Sequence, residues 1–164
     1  MSPIRILICP QEFKGSLTAA ETAHAIADGV RRALPDAELV EAPTADGGPG
    51  IVALVHAASG GELIEGRWRG PLGDLLGDPL GDPLDAAYAL LPDGSAVIEA
   101  AATAGLVLVP EAQRDPGAAS TFGVGEQIRD ALRRGARRIT IGVGGTGTND
   151  GGAGAAQALG FRLL

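Results

Sequence analysis

Residues 142–154 read Gly-Val-Gly-Gly-Thr-Gly-Thr-Asn-Asp-Gly-Gly-Ala-Gly and set Thr146, Thr148, Asn149 and Asp150 among glycines. The stretch follows a β-branched run, Arg138-Ile139-Thr140-Ile141, and leads into Ala155-Ala156-Gln157-Ala158-Leu159, which can be helical. Strand, glycine loop and helix is a setting in which main-chain N–H groups hold an anion. Two further loops carry chemistry after predicted strands: Phe13-Lys14-Gly15-Ser16, and Ala45-Asp46-Gly47-Gly48-Pro49-Gly50. Together the three loops offer an ammonium, two carboxylates, several hydroxyls and many N–H donors. That inventory suits phosphoryl transfer, in which cations and N–H groups take phosphates, one carboxylate holds Mg²⁺ and another orients a hydroxyl.

Other chemistries find less support. There is no Gly-x-Ser-x-Gly elbow, no His-Glu-x-x-His and no convincing Cys-His pair. The phosphate-loop pattern of glycine, four residues, then Gly-Lys-Ser/Thr is missing, since Lys14-Gly15-Ser16 has the wrong order. The dinucleotide fingerprint does match, as Gly142-x-Gly144-x-x-Gly147 after a strand. In a chain with 26 glycines that match is weak, and a helix would start late for it. A nicotinamide-binding oxidoreductase fragment therefore stays open as an alternative.

The totals narrow the class. The chain has 164 residues, 45% hydrophobic but only 3% aromatic, so its core must be finely packed and aliphatic. A net charge of −7 argues against nucleic acid or an acidic membrane surface as a partner. Cys9 is the one cysteine, which excludes a disulfide framework and makes a reducing cytoplasm the expected setting. No leader or 18-residue apolar run is expected. Lys14 is the one lysine among 13 basic residues, and a compact ammonium serves an anion differently from arginine's fork.

The elements that must position these loops follow from pattern. Ile4–Cys9 reads as a buried strand ended by Pro10, and Thr18-Ala-Ala-Glu21 has capping-box spacing for a helix to about Leu34. Ala23, Ile26, Val30 and Ala33 or Leu34 mark its expected inner face. Glu38–Ala42 is a second strand. Ile51–Ala58 is a helix closed by Gly60-Gly61, and residues 62–69 a strand with Leu63 and Trp68 apolar. Leu-Gly-Asp occurs three times in residues 72–82, a local duplication expected in a surface loop. Asp85–Leu91 and Ser95–Glu99 form a hairpin about Pro92-Asp93-Gly94. Ser120 or Thr121 starts a helix to about Arg134. The recurring order of strand, loop and helix predicts an α/β fold, with a Rossmann-like, mostly parallel sheet and helices on both faces. Residues 1–69 and 70–164 are expected as two α/β segments.

At Phe13-Lys14-Gly15-Ser16, Ala45-Asp46-Gly47-Gly48 and Gly144–Gly154 the chain resembles the bacterial glycerate kinase family. Gly70-Pro71-Leu72-Gly73, Ile98-Glu99-Ala100-Ala101 and Thr121-Phe122-Gly123-Val124-Gly125-Glu126 agree as intermediate landmarks. The resemblance implies a two-domain kinase fold and transfer of phosphate from ATP, with Mg²⁺, to a hydroxyl of glycerate, commonly giving 2-phosphoglycerate. It implies Lys14, Asp46 and Asp150 as catalytic residues, the two aspartates also as Mg²⁺ ligands. It implies Ser16, Gly47, Gly48, Gly144, Gly145, Thr146, Thr148, Asn149 and Gly151 as phosphate or substrate contacts, with Glu99 and Glu126 secondary. Departures are Gln11-Glu12 where the family has Asp-Ser, Pro49 in place of a glutamate, and the repeated Leu-Gly-Asp. Family members are also more than twice as long, so the resemblance implies an N-terminal portion. A non-catalytic anion-binding remnant is the other reading left open.

Overall fold

The computed structural model describes residues 3–72 and 83–162. The chain is a mixed α/β structure that divides into two compact units, residues 1–46 and 47–164. The segment division expected at 69/70 falls between two strands that pair with each other, β3 (Glu62–Arg69) and β4 (Pro83–Leu90). The Leu-Gly-Asp repeats lie mostly outside the described residues.

The first unit pairs β1 (Arg5–Ile8) and β2 (Glu38–Glu41) in parallel, with α1 (Ala19–Ala33) between them in sequence. The capping box forms as the spacing predicts. Thr18 Oγ accepts from the Glu21 N–H at 3.2 Å, and Glu21 Oε2 accepts from the Thr18 N–H at 2.8 Å. Those bonds from Thr18 hold the Glu21 carboxyl below its usual range. The inner face of α1 differs from expectation. Ala19, Thr22, Ala23 and Ala27 are buried, while Ile26 and Leu34 are exposed. Alanines permit the helix to lie close against Ile6, Ile8 and Leu39, which a column containing Ile26 would not. Strand β1 is covered on one side only, since Leu7 is 65% exposed.

The second unit is built on a four-stranded sheet in the order β3-β4-β5-β6, with β5 at Ser95–Glu99 and β6 at Arg138–Gly142. β3, β4 and β5 run antiparallel and β6 joins β5 in parallel. The hairpin turn closes as expected, the Leu91 N–H donating to Ser95 O and Asp93 Oδ1 accepting the Ser95 N–H at 2.9 Å. Helices cover both faces. α2 (Ile51–Ser59) packs Val52 against Ala89 and Val97. On the other face Ile64, Tyr88, Ala96 and Ile98 meet α3 (Ala101–Ala104) and α4 (Phe122–Arg133). Alternation along β5 explains the division, because neighbouring residues of a strand point to opposite faces. In β3 it is Ile64 with Trp68 that faces this core, and Leu63 is 40% exposed.

A partly buried polar link fixes α4 to the sheet. Tyr88 Oη and Arg134 Nε both donate to Asp130 Oδ2 at 2.8 Å. Burial pushes the Asp130 carboxyl up, but these two donors outweigh it and leave the group lowered. α4 also carries Gly125, where a side chain would collide with Ala155 of α5 (Ala153–Ala158), so the two helices touch through main chain. Arg129 closes that pair by donating to Ala158 O at 3.0 Å.

Candidate active site

In the first unit Lys14, Gly15 and Ser16 form an exposed turn between β1 and α1. The Ser16 N–H donates to Phe13 O at 2.8 Å, and the Phe13 N–H donates to Leu17 O at 2.8 Å. The ammonium and hydroxyl therefore sit one residue apart from a positively turned glycine, immediately before the capped helix. Asp46 is the last residue of this unit and is exposed.

The second unit brings three main-chain segments together around the glycine stretch. The Gly144 N–H donates to Gly47 O at 2.9 Å, and the Ala100 N–H donates to Gly142 O at 2.9 Å. A Cβ on Gly144 would lie 2.7 Å from both N and Cα of Gly48, so glycine is required there by close approach. Glu99 Oε2 accepts the Gly50 N–H at 2.8 Å, which sets this secondary candidate's carboxylate at the N-terminus of α2. Farther along, the Leu106 N–H donates to Gly145 O at 3.0 Å, the Gly147 N–H to Ala104 O at 2.8 Å, and the Asn149 N–H to Pro116 O at 3.1 Å. Among the described residues the N–H groups of Gly145, Thr146, Thr148 and Gly151 have no acceptor.

Asp150 ends this run with a carboxylate that accepts four hydrogen bonds. Its Oδ2 accepts from the Thr121 N–H and Thr121 Oγ, each at 2.8 Å, and from the Gly154 N–H at 3.0 Å. Its Oδ1 accepts the Gly152 N–H at 3.0 Å. Thr121 Oγ in turn accepts the Ala155 N–H at 3.0 Å, so one Asp–Thr pair ties together the starts of α4 and α5. Burial raises the Asp150 carboxyl, but the bonds from Thr121, Gly152 and Gly154 outweigh burial and leave it lowered. Glu126 is likewise engaged. It accepts the Arg69 N–H at 2.9 Å and lies 3.8 Å from Arg69 Nε.

One expectation is revised here. The dinucleotide fingerprint does not form a pyrophosphate turn. Gly144 is filled by Gly48 and Gly147 by Leu106, and α5 begins only at Ala153. Sequence reasoning also missed Arg114. With Asp115, Thr146, Thr148, Leu106 and Val109 it lines a cavity of about 260 Å³ beside the glycine loop. Only its place before the Asp115-Pro116-Gly117 turn marked it, and a loop arginine has no periodicity to read.

Comparison with known proteins decides the family. A model described as the glycerate kinase family matches residues 6–164. The chain belongs to the glycerate kinase family. It is 45% identical over 161 residues to the glycerate 2-kinase of Escherichia coli K12, covering 98% of this chain and 40% of that one. It is 46% identical over 162 residues to the glycerate kinase of Bacillus subtilis 168, with the same coverage on both sides. A solved structure described as a glycerate kinase 2 from Salmonella typhimurium LT2 superposes with a TM-score of 0.77 at 46% identity, over 98% of this chain and 42% of that one. The chain thus spans about 40% of the length of the curated glycerate kinases it matches.

Proposed function

We propose that this chain serves phosphoryl transfer from ATP, with Mg²⁺, to a hydroxyl of glycerate, giving phosphoglycerate, with 2-phosphoglycerate as the product. Membership of the glycerate kinase family across nearly the whole chain carries this reading. The open N–H donors of Gly145, Thr146, Thr148 and Gly151 support it, because phosphoryl transfer asks mainly for positioned donors and charge. We place the activity in the cytoplasm. In support, the chain holds one cysteine, and no helix among the described residues is long and apolar enough to cross a membrane.

The reading assigns Lys14 to a phosphate or to the glycerate carboxylate, and assigns Ser16, Gly47, Gly48 and Asn149 each to a phosphate or substrate contact. Mg²⁺ asks for only one or two carboxylates plus phosphate oxygens and water. The lack of any group of three ligating side chains among the described residues therefore does not conflict with it. Asp46 and Asp150 are each proposed as ligands, with no order between them. Asp150 can contribute only through Oδ1, since Oδ2 already accepts three donors. When bound, the ion supplies neutralisation of the charge on the transferring phosphate. The protein's own share is to hold the phosphate on N–H groups and to keep the acceptor hydroxyl aligned.

The test is a coupled assay of glycerate with Mg-ATP, with product position read by phosphorus NMR. Turnover is expected, and Lys14→Ala should lower kcat/KM by about 100-fold or more, the scale of one oxyanion-type contact. Turnover within about threefold of wild type in Lys14→Ala removes that role. Glycerate binding without any turnover replaces the kinase reading with a non-catalytic, anion-binding one.

A further inference from the structure

The cavity beside the glycine loop brings a cation, a carboxylate and two hydroxyls against an apolar wall. Arg114 provides a guanidinium whose Nε donates to Val109 O at 3.4 Å, and no carboxylate among the described residues forms an ion pair with it. Most other arginines are occupied. Arg5 pairs with Glu38, Arg31 with Asp28 and Glu41, Arg134 with Asp130, and Arg138 with Asp93. Arg69 lies over the Phe122 ring, 4.1 Å from its centroid, and beside Glu126. Asp115, also on the cavity wall, spends Oδ1 on the Gly117 N–H at 2.9 Å, which leaves Oδ2 to accept. Thr146 and Thr148 add hydroxyls, and Leu106 and Val109 supply an apolar wall.

We infer that this cavity is the seat of the small hydroxycarboxylic acid. Arg114 takes the carboxylate through its planar fork. Asp115 accepts from a hydroxyl, and the Thr146–Thr148 edge presents the glycine loop's donors to the same molecule. Size favours this occupant. A cavity of about 260 Å³ lies below the roughly 300–1,000 Å³ of sites for drug-sized ligands, and suits a three-carbon acid better than a nucleotide. The pairing of one cation with one carboxylate also has a chemical logic. A bare phosphate would meet Asp115 as a like charge, whereas an acid with free hydroxyls uses both groups. This inference rests on the reading of the chain as acting on glycerate and adds the residues that recognise it.

The experiment is calorimetric titration of the chain with glycerate in the absence of nucleotide, against inorganic phosphate and propionate as probes. Wild type should bind glycerate more tightly than propionate, which lacks hydroxyls, and more tightly than phosphate. Arg114→Gln should weaken glycerate binding at least about tenfold, the effect of removing a charge-assisted hydrogen bond. Asp115→Asn should narrow the preference for glycerate over propionate. Arg133→Gln, at the exposed end of α4, should leave affinity unchanged. Arg114 is exposed and holds one long hydrogen bond, so its variants should melt at the wild-type temperature. Glycerate affinity within about twofold of wild type in Arg114→Gln overturns the assignment, as does wild-type protein that binds no glycerate. Turnover with an unchanged KM in Arg114→Gln defeats the seat and leaves the kinase reading standing. Arg114-dependent binding without phosphoryl transfer does the reverse.

Discussion

At the scale of single residues, Asp150 changes most between sequence and structure. Its type and its place in a glycine loop suggest metal or proton chemistry, yet its carboxylate accepts four hydrogen bonds from its own surroundings. Asp150→Asn should therefore cost about 1–3 kcal/mol of stability, because an amide turned toward donors leaves some of them unmet. The melting temperature measures it. The pH dependence has a definite sign. The folded carboxyl lies below its unfolded value, so its stabilisation is full above the unfolded pKa of about 4 and is lost as pH falls through the lower folded value. The stability gap between wild type and Asp150→Asn should be constant near neutrality and close below about pH 4. A gap that persists unchanged at pH 2 would mean that the charge is not what holds the loop. Gly144 makes the complementary case. Gly144→Ala places a methyl 2.7 Å from the Gly48 main chain and should destabilise by about 1–3 kcal/mol through overpacking. A substitution at the open Gly151, with nothing within 4 Å of its Cβ position, carries only the strain of its positive φ.

Among elements, α1 shows what local pattern can and cannot specify. The capping box was legible from Thr18 and Glu21 alone, since both bonds lie within one turn. Thr18→Ala should cost about 0.5–2 kcal/mol, read in denaturant unfolding, and Glu21→Gln less because an amide oxygen still reaches the Thr18 N–H. Which side of α1 faces inward was legible only in part, at Ala23. Ile26 looked like the inner residue by hydrophobicity, yet Ala19, Ala23 and Ala27 are buried, because the distance of the helix from its sheet is a tertiary quantity. Strand β3 repeats the lesson at period two. Its existence followed from alternation, but Ile64 rather than Leu63 meets the core with Trp68. The glycine stretch was legible as a loop with donors. Its match with Gly47 and Gly48 was not, since nothing in one glycine loop names another as its partner. Arg114 was missed for a related reason: the cavity that gives it meaning is assembled from separate turns, and a single arginine between them carries no period.

For the whole molecule, the two units differ in how much core they hold. The first unit buries Ile8, Ala23 and Ala27, with Ile6 and Leu39 beside them. The second buries a cluster that includes Ile64, Tyr88, Ile98, Val124 and Ala131, plus a smaller one at Val52 and Val97. Two short parallel strands with one helix are marginal by themselves. Main-chain amides of β1 and β2 should accordingly exchange with deuterium at least about tenfold faster than those of β5, a difference of the kind that separates local from global opening. Equal protection in both would show that they open together. Sheet order in the second unit also has a consequence for synthesis. β3, β4 and β5 form a meander of neighbours, whereas β6 pairs in parallel with β5, Ser95 against Arg138, only after α3 and α4 have intervened. A chain leaving the ribosome can complete the meander early, but β5 keeps an open edge until β6 emerges. Gly47 and Gly48 wait through that interval as well, because Gly142 and Gly144 are made only after α3 and α4. The glycine loop is therefore the late-closing clasp of its unit, and translational pausing before Thr140 should lengthen the time that a sticky strand edge is bare.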